Sequence, residues 1–175
     1  EATAQGAERI VCAGDMTGYG PFPDDVCHFL QKRQISTLMG NYDRKALNVI
    51  EKGISGFRGA DLKSVPLKSK KHKILLWTVE HLSHQSRLYL SGLPDQLDLK
   101  LPSGHRLIVV HGSPLSMNDA IYPSITGPGL RAKSGDLRPD ALICGHTHIP
   151  FVRRVDGILV VNCGSAGQPI DGDPR

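Results

Sequence analysis

The stretch LICGHTH, residues 142–148, places a buried β-strand directly before two histidines. Residues 142–144 are apolar, Gly145 permits a sharp bend of the backbone, and His146 and His148 follow with one residue between them. Alternate residues of an extended segment face the same side, so we expect both imidazoles to point toward one site. A pair of this kind is also compatible with packed histidines, so its meaning depends on the rest of the chain.

Three further strand-like runs end in the same way, with glycine beside a side chain that can bind a metal. These ends are Gly14–Asp15, Gly40–Asn41 and His111–Gly112. Taken singly, the three polar residues are more typical of a helix cap, a turn and a packed histidine. Packing alone does not explain why all of them follow strands, where open α/β sheets bind their ligands. Oxygen donors combined with imidazoles suit Mn, Fe, Zn or Ni better than Ca.

The order of predicted elements indicates an α/β fold. Residues 9–13 and 34–40 are predicted strands, and they flank a helix predicted over residues 23–33. Pro23 suits the first turn of that helix. Residues 44–93 have a mainly helical pattern.

The second half of the chain is predicted to be mostly β-structure. Hairpins are expected over residues 97–112 and 150–164, and the second one turns at Asp156–Gly157. A further strand is predicted within residues 140–148. Residues 113–138 form a polar, glycine-rich excursion, which we expect to line a binding pocket.

Length and composition are those of one folded domain over residues 1–175. The 175 residues are 39% hydrophobic and 22% charged, which argues against long-range disorder. No apolar run approaches the roughly 18 residues that a membrane helix needs, and no secretory signal is visible. The four cysteines form no CxxC pair, so reduced, buried cysteines in a cytoplasmic protein are predicted.

Much of the net charge of +4 comes from KSKKHK, residues 68–73. A run of this kind is most often the solvated start of a surface helix. It also has the charge to attract phosphate groups. No aromatic residues are interleaved with the lysines, so nucleic-acid binding stays a minor hypothesis.

As an ordered set, four short motifs resemble those of the calcineurin-like metallophosphoesterases. They are GD at residues 14–15, GNYD at 40–43, VVHG at 109–112 and GHTH at 145–148. The loop GYGPFP at residues 18–23 and the run VNCGSAGQPIDGDPR at 161–175 narrow the resemblance to the small prokaryotic-type phosphodiesterase branch. The resemblance covers nearly the whole chain.

This resemblance implies a four-layer α/β/β/α sandwich, in which two mixed sheets are flanked by helices and two divalent transition-metal ions lie at the strand ends. Mn is favoured, with Fe, Zn and Ni as alternatives. Asp15 would bridge the two ions. Asn41, His111 and His146 would complete one metal site, and His148 would bind the other. A hydroxide shared by the two ions would then attack a phosphodiester.

The chain departs from the family pattern at its ends. The first strand of the family carries an Asp-x-His motif, and the chain begins after it, so the first metal site would keep only Asp15 and His148. The chain also stops before the last strands of the family. We therefore expect a single domain over residues 1–175 that is truncated at both ends. This fragment alone could be inactive, so a non-catalytic metal- or phosphate-binding module is the alternative.

A second departure is GNYD at residues 40–43, where many members of the family have GNHD. The histidine would approach the leaving-group oxygen. With a reference pKa of about 10, Tyr42 is a weaker general acid at neutral pH, so it either donates a hydrogen bond there or packs beneath the loop. Asp43 would orient the residue at the catalytic position. Asn41, Tyr42 and Asp43 are therefore the catalytic candidates.

The leading hypothesis is a metal-dependent phosphoesterase, more narrowly a phosphodiesterase, that acts on a small-molecule phosphate ester. Arg131 and Lys133 are candidates for a second phosphate contact, although surface solvation is the more usual role of such residues. No membrane association is expected, and the sequence leaves open whether the chain forms a homo-oligomer.

Overall fold

A computed structural model describes residues 3–51 and 70–170, which form two β-sheets with helices packed on them. The strands are β1 (Val11–Cys12), β2 (Ser36–Thr37), β3 (Gln96–Lys100), β4 (Arg106–Val110), β5 (Ala141–Cys144), β6 (Phe151–Val155) and β7 (Ile158–Asn162). The helices are α1 (Pro23–Lys32), α2 (Asn41–Glu51), α3 (Lys70–Glu80), α4 (His84–Ser91) and α5 (Gly127–Ser134). A mixed sheet flanked by helices confirms the predicted α/β fold class.

The large sheet has the strand order β3-β4-β5-β7-β6. Its central strands β4, β5 and β7 run parallel, and the edge strands β3 and β6 pair antiparallel with their neighbours. The small sheet pairs β1 with β2 in parallel, with Val11 opposite Ser36. Because the carboxyl ends of parallel strands meet at one edge, each sheet delivers the residues after its strands to a common place.

Two apolar clusters bury the inner faces of these elements. The first packs the large sheet against α5 and the excursion before it, and it consists of Ile108, Val110, Ile121, Leu130, Leu142, Cys144, Val155, Ile158 and Val160. The second joins α1, α2 and α4 to the end of β2, and it consists of Cys27, Met39, Ala46, Leu47, Leu82 and Leu90. These clusters fix the strand ends, from which the polar residues of the motifs project.

Local sequence signals account for most of the elements. The helix predicted at residues 23–33 is α1, with Pro23 at its start and Lys32 in its last turn. The hairpin between β6 and β7 turns at Asp156 (φ 49°) and Gly157 (φ 82°), and both values have the sign that a type I′ turn requires. The hairpin of β3 and β4 is also confirmed.

Helix α5 was not predicted within the excursion at residues 113–138. The helix begins with Gly127, Pro128 and Gly129, which have poor helix propensity, so the sequence pattern did not indicate a helix here. The available signal was Thr126, whose side chain accepts a hydrogen bond from the Gly129 amide as an N-cap. The capping residue and a proline in the first turn therefore outweigh propensity here.

The region predicted as mainly helical, residues 44–93, contains most of α2 together with α3 and α4. Residues 52–69, including the start of the lysine run, lie outside the described residues. No helix in the described ranges is long and apolar enough to cross a bilayer. The prediction that the cysteines are buried holds for Cys27 and Cys144 but is wrong for Cys163, which is exposed.

Candidate metal centre

Two loops that follow the small sheet pack against each other backbone to backbone. Asp15 follows β1 with a φ of 56°, and Gly40 lies directly before α2. A Cβ atom at Gly40 would come within 2.1 Å of the Asp15 amide nitrogen, so only glycine fits there. A Cβ atom at Gly14 would lie 2.6 Å from the Gly40 nitrogen. This close approach brings Asp15 beside the first turn of α2.

Asp43 holds these two loops together. Its Oδ2 accepts hydrogen bonds from the amides of Asp15 (2.9 Å) and Gly40 (3.0 Å). Its Oδ1 accepts hydrogen bonds from the amide (3.0 Å) and the hydroxyl (2.9 Å) of Thr17. Burial and then the nearby Asp15 carboxylate raise the pKa of Asp43 to about 6, although its donors lower it. Asp43 is fully buried, so its carboxylate meets these donors and not the solvent.

His111 lies at the centre of the polar cluster formed by the strand ends. The residue is only 3% exposed. Its Nε2 lies 3.1 Å from Asn41 Oδ1, 3.3 Å from Asp15 Oδ2 and 3.3 Å from His146 Nδ1. The structure therefore brings together four residues that the sequence analysis named as metal ligands.

The other ring nitrogen of His111 indicates where its proton is. Nδ1 lies 2.8 Å from the carbonyl oxygen of Ala13, which can only accept, so we assign a proton to Nδ1. In the neutral ring, Nε2 then presents its lone pair to the cluster. A carbonyl behind a ligating histidine is the usual support in metal sites. Burial lowers the pKa of His111, but its contacts with Asp15 raise it overall, so the cluster attracts positive charge.

The donor set of this cluster fits a divalent transition metal. A carboxylate, an amide oxygen and two imidazoles form the mixed nitrogen and oxygen environment that such ions take. Ligands about 2.0–2.1 Å from a tetrahedral ion are roughly 3.3 Å apart, close to the 3.1 and 3.3 Å separations around His111. Among the described residues, no group of three or more His, Cys, Asp or Glu side chains alone is arranged to hold an ion. The Asn41 amide oxygen adds a donor that lies outside these four residue types.

The segment that carries His146 and His148 is bent and not extended. β5 ends at Cys144, and both histidines have left-handed φ values of 65° and 61°. The prediction that strand alternation aims the two rings is therefore wrong, since left-handed residues turn the backbone instead. Thr147 between them is buried, and its hydroxyl accepts a hydrogen bond from Asn162 Nδ2 (3.0 Å). Thr147 thus points away from the histidines, as predicted.

His148 lies near the His111 cluster and has its own support. Its Nδ1 lies 2.9 Å from the Gln168 carbonyl oxygen, which assigns a proton to Nδ1 and leaves Nε2 available to bind an ion. Burial and the adjacent His111 lower the pKa of His146. Neutral imidazole is the form that binds metals, so this environment suits a ligand role.

An open cleft of about 360 Å³ leads to the cluster, a volume at the lower end for ligand sites. Five predicted site residues line it, namely Asp15, Asn41, Tyr42, His146 and His148. The described part of the chain contributes five more lining residues that the sequence analysis did not name as site residues, which are Tyr19, Lys45, Lys71, Asn118 and Gln168. Lys45 could have been found, because it follows Asn41 by one helical turn in α2. The others had no local signal that placed them here.

Tyr42 packs on a loop and also lines the cleft, so its position is compatible with both roles that the sequence left open. A Cβ atom at Gly18 would come within 2.7 Å of the Tyr42 ring, so the ring lies directly on that residue. The Tyr42 amide donates a hydrogen bond to Asp15 Oδ1 (2.8 Å), and its hydroxyl contacts the Tyr19 hydroxyl. Burial and the Tyr19 contact raise the pKa of Tyr42, so the phenol keeps its proton.

Arg131 and Lys133, the candidates for a second phosphate contact, are not among the described residues that line this cleft, and their ion pairs favour the surface role that was the more usual expectation. Arg131 pairs with Asp156, and Lys133 pairs with Asp119. These ion pairs hold helix α5 against the hairpin and the excursion. Asn118 is the residue that the excursion contributes to the cleft.

Known proteins resemble the chain in sequence. A family model described as "Calcineurin-like phosphoesterase superfamily domain" matches residues 1–175. An uncharacterized protein of Methanocaldococcus jannaschii is 25% identical over 185 aligned residues, which cover 96% of this chain and 68% of that protein. A probable metallophosphoesterase of Methanothermobacter thermautotrophicus is 35% identical over 69 residues, which cover 39% of this chain and 36% of that protein.

The fold is shared with a solved structure. A metallophosphoesterase from Sphaerobacter thermophilus has a TM-score of 0.72 and 24% sequence identity, over 99% of this chain and 73% of that chain. This similarity confirms the arrangement of a mixed sheet with flanking helices.

Proposed function

The chain belongs to the calcineurin-like phosphoesterase superfamily, and from that membership we propose that it is a metal-dependent phosphodiesterase. Membership itself implies divalent metal ions and hydrolysis of phosphoric esters. The proposal adds three details to this membership: a phosphodiester as substrate, two ions per chain and Mn as the preferred metal.

The observation that supports it most is the geometry around His111. Three electron-pair donors, from Asp15, Asn41 and His146, lie within 3.3 Å of Nε2. Lone pairs that face one another repel unless a cation or a proton lies among them. The single proton of the neutral His111 ring is on Nδ1, which donates it to the Ala13 carbonyl, so Nε2 carries none. An ion among these donors would relieve the repulsion.

The proposed ligands divide into two groups. Asn41, His111 and His146 would hold one ion together with Asp15. His148 would bind the second ion, and it lines the same cleft as Asp15. Asp15 would contribute to both groups, since its Oδ2 faces His111 and the residue lines the cleft together with His148.

Bound divalent ions would supply Lewis acidity, which activates water and neutralises the charge of the phosphate. In the hydrolysis, the water oxygen would form a bond to phosphorus as the ester P–O bond breaks, and a proton of the water would end on the departing oxygen. Tyr42, which keeps its proton in this environment, would donate a hydrogen bond to the departing oxygen. Asp43 would keep the loops of Asp15 and Asn41 in place through its four hydrogen bonds.

Metal content and turnover, measured on the same samples, test this proposal. Asp15→Ala should lose bound Mn²⁺ in elemental analysis and slow the hydrolysis of bis(4-nitrophenyl) phosphate by more than about a hundredfold. Chelation should abolish the activity of the wild-type protein, and Mn²⁺ should restore it. Asp136→Ala removes an exposed carboxylate and should change neither property.

Two results would contradict the proposal in different ways. Unchanged metal content in Asp15→Ala would show that the ligand assignment is wrong. Tight metal binding by the wild-type protein without hydrolysis of any phosphodiester would favour the alternative, a metal- or phosphate-binding module.

A further inference from the structure

Two lysines lie on the wall of the cleft beside the candidate metal ligands. Lys45 follows Asn41 by one turn of α2, and Lys71 lies in the first turn of α3. Both line the cleft together with Asp15 and His146. Their positions come from two different helices, so the cleft receives positive charge from two directions.

Neither lysine forms an ion pair in the described part of the chain, although other basic residues there do. Arg44 pairs with Asp95, and Arg106 pairs with Asp98. Among the described residues that line the cleft, Asp15 is the only acid, and its carboxylate already faces His111 and the Tyr42 amide. The lysine charges therefore remain available to a ligand.

Lys45 is also ordered by its surroundings. Its ammonium lies 4.5 Å from the centroid of the Tyr42 ring, within the range of a cation–π contact. Tyr42 is itself held between Gly18 and Tyr19. A freely solvated surface lysine lacks a contact of this kind. A lysine that is already restrained beside a cleft loses less conformational entropy when it binds an anion.

We propose that Lys45 and Lys71 form a second anion subsite, which binds a phosphate group of the substrate other than the one that is hydrolysed. This inference rests on the proposed function and narrows the substrate class to phosphodiesters that carry a second phosphate group. A phosphodiester with neutral arms brings one negative charge, which the metal centre takes, and leaves both ammonium groups without a partner. Ammonium groups bind phosphate as point charges, so they tolerate a range of phosphate positions.

The size of the cleft favours a small molecule over a nucleic acid chain. A volume of about 360 Å³ holds a ligand of nucleotide size. A polynucleotide would instead need a continuous basic groove with aromatic platforms. Thymidine nucleotides are therefore suitable probes, because they are available with one or two phosphates on the same nucleoside.

The proposal is tested by calorimetric binding of two nucleotides that are not phosphodiesters and so cannot turn over by this reaction. Thymidine 3′,5′-bisphosphate and thymidine 5′-monophosphate are titrated into the Mn²⁺-loaded protein. The wild-type protein should bind the bisphosphate about tenfold more tightly, as expected for one added charge-assisted contact. The double variant Lys45→Gln, Lys71→Gln should lose most of this ratio.

A charge-matched control separates the subsite from the general effect of a basic protein. The double variant Lys32→Gln, Lys100→Gln removes two exposed lysines that do not line the cleft, and it should retain the wild-type ratio. Equal or undetectable affinity of the wild-type protein for the two nucleotides would overturn the subsite. Two further results would also overturn the subsite. One is a preference for the bisphosphate that persists in the double variant of Lys45 and Lys71, and the other is an equal loss of that preference in the control variant.

Hydrolysis of a matched substrate pair separates this inference from the proposed function. Thymidine 5′-(4-nitrophenyl phosphate) and its 3′-phosphorylated form share one leaving group. Preferential binding of the bisphosphate without hydrolysis of either substrate would support the subsite and contradict the phosphodiesterase. Equal hydrolysis of both, with no binding preference, would support the phosphodiesterase and overturn the subsite.

Discussion

At the residue scale, Tyr42 combines observed packing contacts with a proposed chemical role. Its ring lies on Gly18 and beneath the Lys45 ammonium, and its hydroxyl meets that of Tyr19. Burial and Tyr19 raise its pKa, so it remains a donor at neutral pH. A phenol of this kind assists a leaving oxygen by hydrogen bonding and not by full proton transfer.

Tyr42→Phe should therefore slow reactions with poor leaving groups more than reactions with good ones. We expect a loss of roughly tenfold in kcat/KM for thymidine 5′-(phenyl phosphate) and less than about threefold for the 4-nitrophenyl ester, because nitrophenolate needs little assistance. Steady-state kinetics on both substrates check this, with the exposed Tyr122→Phe as control. Equal losses on the two esters would leave Tyr42 with a positioning role only.

At the scale of elements, the loop after β1 and the start of α2 form one unit. Glycine at positions 14 and 40 allows their backbones to touch, and the Asp43 carboxylate accepts hydrogen bonds from both. The proposed ligands Asp15 and Asn41 are therefore placed by the same contacts that stabilise the fold.

Asp43→Asn should destabilise the protein by about 2–3 kcal/mol, because the new NH₂ group faces either two backbone amides or the amide and hydroxyl of Thr17, and only the hydroxyl can turn to accept from it. Oδ2 meets the amides of Asp15 and Gly40, and Oδ1 meets the amide and hydroxyl of Thr17. Urea unfolding measures the change in the free energy of unfolding. The matched variant Asp25→Asn alters an exposed side chain of α1 and should shift it by less than about 0.5 kcal/mol. A similar small shift for Asp43→Asn would show that the loops do not depend on this carboxylate.

At the scale of the whole molecule, the candidate metal centre joins the two sheets. Asp15 and Asn41 follow strands of the small sheet, while His111 and His146 follow strands of the large one. The ring of His111, which follows β4, also donates a hydrogen bond to the carbonyl of Ala13, which follows β1. An ion bound by all four side chains would therefore link the two sheets.

Metal binding should consequently stabilise the entire domain against heat. Mn²⁺ at a hundred times its Kd contributes about 2.7 kcal/mol, which corresponds to a rise in Tm of roughly 5–10 °C for a chain of this size. Calorimetry with Mn²⁺ and with chelator measures the shift. Asp15→Ala should lose it, whereas Asp98→Asn, in a surface ion pair between β3 and β4, should keep it. An undiminished shift in Asp15→Ala would place the ion elsewhere.

Much of the fold and part of the site could be predicted because their signals are local. The hairpin at Asp156–Gly157 follows from two residues that tolerate positive φ, and α1 follows from Pro23 and its apolar spacing. The placement of Asp15, Asn41, His111 and His146 after strands likewise needed only strand periodicity and the glycines beside them. Backbone conformation and strand ends are properties of a few consecutive residues, which a sequence displays directly.

Other features were decided by contacts between residues that are distant in the chain. The cleft is lined from three separate segments by Lys71, Asn118 and Tyr19. No periodic pattern in the sequence predicts that these residues lie close together. The left-handed backbone of His146 and His148 accompanies a hydrogen bond between Thr147 and Asn162 in a neighbouring strand. Long-range packing selects these geometries after the strands have assembled, because the free energy that fixes them comes from burial and from hydrogen bonds between segments. The residue types of the candidate ligands could therefore be read from the sequence, whereas the charge and shape of the cleft around them are decided only by the tertiary structure.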